Sequence, residues 1–345
     1  VGNNCIAKDR NTLYFMMVLF GDDVMARAKP KVIVFGNVYV DMAMRCEQFP
    51  ETSQPVAGSS FSYTPAGSGL NQAIQAALCD CEVYLVGKVG KDQFSDMIRD
   101  NLADYGINCD FVFEAEAKNT GVSVSFVNSG GTNRTIISEG ANKAITSSDI
   151  STTEFERVIS SADVCMINGQ LPSEFVISAI RAGKLSHAKV ILDPALSTEQ
   201  FQTQSGQLPL DYYTADIIVP NFAEAVELIT SQNHNIHTAK LIGSDLIARG
   251  IGCAVIKLGR RGALMVDKNG TEHIPAFDVN IVDHTACGDS FDGAFAACCA
   301  VESDIKKAVK FASAAGALTC SKFGGQESLP KREEILELLQ ELPEL

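Results

Sequence analysis

The strongest constraint on this chain is a rhythm that begins at residue 31. Short apolar runs ending in glycine, asparagine or proline alternate with longer amphipathic stretches. The run "KVIVFGNVYVD" has the character of a buried strand, and "GSGLNQAIQAALCDC" after it places Leu70, Ala73, Ile74 and Ala77 on one side of a helix. "EVYLVGKVG" is a second strand, and "KDQFSDMIRDNLADYGI" is a helix stopped near Gly106. "ADVCMIN", "SEFVISAIRAGK", "KVILDP", "ADIIVPN", "FAEAVELIT" and "GCAVIKLG" continue the alternation, and an amphipathic helix beginning near Pro330 closes it. Strands that are apolar throughout must be buried on both faces. The expectation is an α/β fold: doubly wound, with a mostly parallel sheet and helices on both faces.

Two stretches break the rhythm. "FSYTPAG" (61–67) follows a polar, proline-containing connection, and "TGVSVSFVNSGGTNRTIIS" (120–138) alternates like a half-exposed strand pair around a Gly130-Gly131 turn. They are expected to stand off the main sheet as a small β-sheet lid, with strands from about 38–66 and 110–138. Residues 31–345 read as one domain, because α/β units reach this size. Residues 1–30 read as an N-terminal extension. Its apolar run Leu13 to Phe20, after Lys8 and Arg10, imitates a signal peptide, but Asp22 and Asp23 follow at once and Met25 is an alternative start.

Composition narrows the partners. Hydrophobic residues make up 46% of the chain, enough for a large core, and the formal net charge is −14. Such a chain repels nucleic acid and anionic membrane, so neither is an expected partner. The eleven cysteines show no zinc spacing and lie in apolar segments, as reduced residues of a cytoplasmic protein do.

The chemistry concentrates in "VDHTACGDSFDGAF", residues 282–295. If a helix begins there, the N–H groups of Ala286, Cys287, Gly288 and Asp289 converge on one spot that attracts an anion. A carboxylate at the same place, Asp289, makes sense as a base for an attacking hydroxyl while the amides stabilise a phosphoryl group in transfer. It makes equal sense as a helix cap, and the residues alone do not choose.

That stretch resembles the C-terminal signature of the ribokinase / phosphofructokinase-B family of carbohydrate and nucleoside kinases, whose core reads D-T-x-G-A-G-D. The resemblance spans roughly 31–335. "AGSGLNQA" (66–73) is similar to the family's glycine signature, and "GNVYVD" (36–41) to its first-strand loop. The resemblance implies that Asp41, Tyr39, Gly67, Ser68, Asn71 and Gln170 face the substrate, with Gly67 and Gly69 letting the backbone approach a sugar. "PNFAE" (220–224) matches N-x-x-E, so Asn221 and Glu224 would organise Mg²⁺ and phosphates, Glu224 through water. "KLGRRG" (257–262) places Lys257 and Gly259, with Gly288, at the nucleotide. "SKFGGQESLP" (321–330) resembles a closing loop, which implies an activating monovalent cation, K⁺, held largely by carbonyls at Asp283, Thr285, Thr319, Lys322, Gly324 and Ser328. "ISEGANKAI" (137–145) resembles the pattern after the lid strands, with Asn142 near the sheet. A homodimer through the lid is also implied, because a free lid edge invites pairing.

Departures from the ribose pattern cluster at the substrate end. Tyr39 stands for Asn, Ser68 for Lys, Ala66 for Gly and Gln170 for Glu, while Cys287 takes a small-residue position in the anion cradle. The reading that results is an ATP- and Mg²⁺-dependent kinase acting on a primary hydroxyl of a small sugar, a pentose or related sugar. Asp289 is its base, assisted by Gly288, Cys287 and Ala286. A nucleoside kinase, in which Tyr39 stacks a base, and a non-catalytic protein retaining the fold are the alternatives.

Overall fold

The computed structural model describes residues 29–51, 53–195, 208–228 and 235–340. Nearly all of the expected N-terminal extension therefore lies outside the described residues. Along the chain follow β1 (Lys31–Phe35), β2 (Tyr39–Cys46), β3 (Gly58–Ala66), α1 (Ser68–Leu78), β4 (Glu82–Gly90), α2 (Gln93–Asp104), β5 (Val112–Ala115), β6 (Gly121–Asn128) and β7 (Asn133–Ser138). Then come α3 (Thr153–Ile159), β8 (Val164–Asn168), α4 (Ser173–Leu185), β9 (Lys189–Asp193), β10 (Ile217–Ile218), α5 (Phe222–Glu227) and α6 (Ile236–Arg249). The last elements are β11 (Cys253–Lys257), β12 (Ala263–Asp267), β13 (Gly270–Ile274), α7 (Cys287–Cys299), α8 (Ile305–Cys320) and α9 (Arg332–Gln340).

The large sheet has nine strands in the order β13-β12-β11-β10-β9-β8-β1-β4-β5. Pairing is parallel from β5 to β11 and antiparallel only in β11-β12-β13. Each central strand feeds two cores, as its unbroken apolar sequence requires. Val32 and Val34 of β1 pack with α1, α7 and α8, while Ile33 and Phe35 pack with α3 and α4 on the other face. The doubly wound expectation is met. Among the described residues no helix is long and apolar enough to cross a membrane.

The second sheet is the lid, with four strands in the order β3-β2-β6-β7. The run "KVIVFGNVYVD" does not continue past Gly36–Val38 as one strand, in keeping with a lid expected from about 38: β1 and β2 go to different sheets. Nor does the second lid segment start at 110, because Val112–Ala115 pairs with β4 in the main sheet and the lid resumes only at Gly121. The β12–β13 hairpin, which no strand–helix alternation announces, caps the open edge beyond β11.

Tight backbone packing joins α1 to β1. A Cβ built at Gly36 would collide with the Gly69 backbone, and one at Gly69 with Gly36. Gly69 therefore serves helix–strand contact rather than approach of a sugar, and Gly67, at φ 118°, lies against the Asn37 carbonyl.

Candidate active site

The order of the large sheet reverses between β1 and β8, and a crevice opens there at the carboxyl ends of the strands. A cavity of about 680 Å³ occupies it. Ser68 from α1, Gln170 after β8, Lys257 at the end of β11 and Gly259 after it reach its wall. Asn221 and Glu224 do so from the start of α5, and Cys287, Gly288 and Asp289 from the start of α7. These are the residues the motifs nominate, brought together from separate crossovers. Tyr39, Asp41 and Gly67 do not line this cavity. They lie beside it, on β2 and in the turn into α1.

Asp289 occupies the first turn of α7, and its Oδ2 accepts a hydrogen bond from Asn71 Nδ2 at 2.8 Å. Burial pushes its carboxyl up, and Asp193 adds to that. The Asn71 and Ser68 hydrogen bonds and the Lys257 charge oppose the rise without cancelling it. Asp289 makes no N-cap hydrogen bond. The cap position is Ala286, which has no side-chain cap and stands in the left-handed region at φ 58°. The capping reading of Asp289 is thus set aside, and the strained residue is an alanine where the family core reads glycine. A Cβ at Gly288 would meet nothing within 4 Å, so the amide cradle opens freely.

At the metal end, Asn221 and Glu224 form a reciprocal capping box on α5. Asn221 Oδ1 accepts from the Glu224 N–H at 3.0 Å, and Glu224 Oε2 accepts from the Asn221 N–H at 2.8 Å. The box orients Glu224 without consuming its other oxygen. Burial first, then Asp193, pushes the Glu224 carboxyl up to about 7, against the pull of Lys257. Lys257 itself sits 2.6 Å from Asp292 Oδ2 and 4.0 Å from Asp193 Oδ1. Asp193 and Asp292 line the cavity with it, and the motif reading named neither of them. Their signals were faint: a carboxylate at a strand end, and one a turn beyond Asp289 on the same helix.

At the substrate end, one oxygen of Asp41 and one of Asn71 are buried with no hydrogen-bond partner. Tyr39 is buried, and its hydroxyl donates to Glu139 of the "SEGAN" segment. Asn142 of the same segment braces Val38, accepting from its N–H at 3.0 Å and donating to its carbonyl at 2.7 Å. Asn37 donates to Gln170 and accepts from the Gly69 N–H at 3.0 Å. The loop between the two sheets is therefore pinned by side chains on every side.

The loops expected to hold a cation are joined by Asp283. Its Oδ1 accepts from the Thr285 N–H and hydroxyl at 3.0 and 2.8 Å, and its Oδ2 from the Gly324 N–H at 3.2 Å. Burial alone would raise its carboxyl, yet these hydrogen bonds hold it below the ordinary value. The Thr319 hydroxyl lies within hydrogen-bond reach of Ser290 Oγ and the Ala315 carbonyl, Ser328 donates to Gly325, and the Lys322 ammonium pairs with Glu334, so those side chains turn inward or away.

The cysteine reading changes at two positions. Cys287 and Cys320 are joined by a disulfide across a Cα–Cα distance of 5.7 Å, while the other described cysteines are free thiols. Proximity of the start of α7 to the end of α8 decides this, and sequence spacing could not reveal it.

A doubly wound sheet, a β-lid and a helix-borne carboxylate over an amide cradle define an ATP-dependent sugar kinase. The pattern of the pfkB family of carbohydrate kinases matches residues 29–332, and the chain belongs to that family. It is 29% identical to a deoxyribokinase of Salmonella typhi over 310 residues, covering 89% of this chain and 98% of the relative. It is 30% identical to the ribokinase of Bacillus subtilis over 315 residues, covering 89% and 99%. Its fold superposes on Arabidopsis thaliana ribokinase complexed with ribose and ATP with a TM-score of 0.82 at 25% identity, covering 91% of this chain and 99% of the other.

Proposed function

We propose that the chain transfers the γ-phosphoryl group of ATP to a primary hydroxyl of a small sugar, a pentose or related sugar, with Asp289 as general base. The observation that carries this reading is the Asn71–Asp289 pair. It holds a carboxylate, raised by burial, at the first turn of a helix whose amides face an open cavity. Such a carboxylate takes a proton readily from a hydroxyl at neutral pH. The unpartnered oxygens of Asp41 and Asn71 are acceptors in want of donors, which suits a polyol and not an apolar ligand. The amides of residues 286–289 are placed to bear on negative charge that develops during transfer.

The residues fit ATP and Mg²⁺. Phe277, Val279 and Ile281 give the cavity an apolar stretch for a base, and Glu224 Oε1 stays available for a metal-bound water. When bound, the metal neutralises phosphate charge. Lys257 and Gly259 border the same space. Closure of the lid would exclude water and suppress idle hydrolysis. The Asp283 cross-link supports a monovalent cation, K⁺, held between the 283–285 and 324–328 loops by carbonyls.

Self-association through the lid belongs to the same reading. By register, Met42, Met44, Phe61, Tyr63, Val124, Phe126 and Ile136 share one lid face, and Phe61, Tyr63 and Ile136 are exposed. An apolar face, more than a free edge, argues for a homodimer.

A coupled ADP-release screen over pentoses, 2-deoxypentoses, hexoses, sugar acids and nucleosides, with and without K⁺, tests the reading. ADP release with ribose or 2-deoxyribose is the expected result. No release above background with any compound overturns it.

A further inference from the structure

Among the described residues Lys257 is the one lysine on the cavity wall, and carboxylates surround it. Its ammonium is buried and bonds Asp292 Oδ2 at 2.6 Å, with Asp193 Oδ1 at 4.0 Å. Its backbone is committed too: the Lys257 N–H donates to Pro220 at 2.9 Å, and Lys257 bridges to Asn221, the cap of the Glu224 turn. Asp292 lies one helical turn beyond Asp289 on α7. This residue thus ties together the end of β11, the Asn221–Glu224 turn and the helix that carries the base.

We propose that Lys257 is a positioning residue for phosphoryl transfer: locked to Asp292, it supplies the buried positive charge that offsets the site's carboxylates and fixes α7 against the nucleotide loop. The inference rests on the kinase reading above and deepens it. The groups that bear on Asp289 are Asn71 and Ser68 from α1, Asp193 at the end of β9, Lys257 from β11 and Asp292 from its own helix. At the mouth stand Arg260 and His284, and α8 contributes only neutral Ser313, Gly316, Ala317 and Cys320. Without Lys257 the buried carboxylates of Asp289 and Asp292 lose the charge that opposes their rise, and such paired carboxyls retain protons. Burial would pull the lysine's own proton off, yet Asp292, Asp193 and Glu224 hold it on.

The test follows the carboxyl carbons of ¹³C-labelled aspartate by NMR in the full chain, the Asp289 signal being the one missing from Asp289→Asn. In Lys257→Met the Asp289 midpoint moves up by about one pH unit or more. The acid limb of kcat/KM on ribose or 2-deoxyribose moves with it, while KM for the sugar above that limb holds. The double variant Lys257→Met/Asp292→Asn is no worse than Lys257→Met alone, because the two side chains act as one unit. An unmoved Asp289 midpoint overturns the proposal. So does loss of ADP binding by calorimetry with that midpoint unchanged, which makes Lys257 a plain nucleotide ligand. The NMR arm needs no substrate, so a moved midpoint in a protein that phosphorylates none of the sugars keeps the charge role and overturns the kinase reading instead.

Discussion

Asn71 and Asp289 are 218 residues apart in sequence, yet the Asn71 amide donates to the Asp289 carboxylate at 2.8 Å. The contact joins the glycine-signature helix α1 to α7, and Asn71 Oδ1 is left buried without a partner. In the proposed reaction, substrate recognition and proton removal share this one side-chain pair.

Replacing Asp289 by Asn should lower kcat by roughly 10²–10⁴-fold, the usual worth of a general base. Asn71→Ala should lower kcat/KM by about tenfold or more, through loss of a buried hydrogen bond. Steady-state kinetics with the sugar that releases ADP measure both. A wild-type rate in Asp289→Asn would remove the base assignment.

The pH dependence has a definite sign. Burial raises the Asp289 carboxyl in the folded state, so the base form is lost at a higher pH than for an ordinary aspartate at about 4. The kcat/KM profile, which reports the free protein, should fall on its acid side through that raised value. The same shift means that the folded state holds the proton more tightly than the unfolded state does. The stability this contributes is present below about pH 4 and is lost as pH rises through the folded value. Asp289→Asn should therefore melt higher than wild type at pH 8, with the gap closing at low pH, by calorimetry.

Ala286 caps α7 at φ 58°, a conformation that costs a residue with a Cβ about 1–2 kcal/mol. Ala286→Gly relieves that strain but loosens the unfolded chain, so the expected gain is up to about 1 kcal/mol in urea unfolding. A lower urea midpoint would show that the alanine is not strained there.

Cys287 and Cys320 close a loop with a sequence separation of 33 residues. Peptide mapping without reductant should recover them as one cross-linked species. Cys320→Ser, or added dithiothreitol, should cost up to about 4 kcal/mol by the loop-entropy relation. Full alkylation of both thiols in the untreated protein would refute the pairing.

The lid face makes a prediction about assembly. Phe61→Glu with Ile136→Glu places charge on exposed apolar positions. Sedimentation velocity should find a dimer for wild type and a monomer for the double variant.

The fold was largely legible. Apolar strand runs and helical spacing in "KVIVF", "VCMIN" and "KVILD" force two-sided burial, and a parallel sheet follows. The break at Gly36–Val38 was legible in part: the lid was expected from about 38, although β1 and β2 form one apolar run that only their partners in two sheets separate. The β12–β13 hairpin escaped for a related reason: its strands are an edge closure, marked by no crossover helix. Of the site, Asp289, Asn71, Glu224 and Lys257 were legible as motif positions. The role of Gly69 was misjudged, because whether a bare backbone meets a ligand or the Gly36 backbone depends on packing.

By itself, then, the sequence determined the periodicities, the amide-rich helix start and the kinase-like spacing, because these are local properties of short segments. Only the tertiary structure decided the charge environment. Asp193 and Asp292 gather around Lys257, and Cys320 meets Cys287, from segments far apart along the chain. Electrostatic shifts and disulfide bonds depend on distances of a few ångströms, and those distances exist only after the strands and helices have packed.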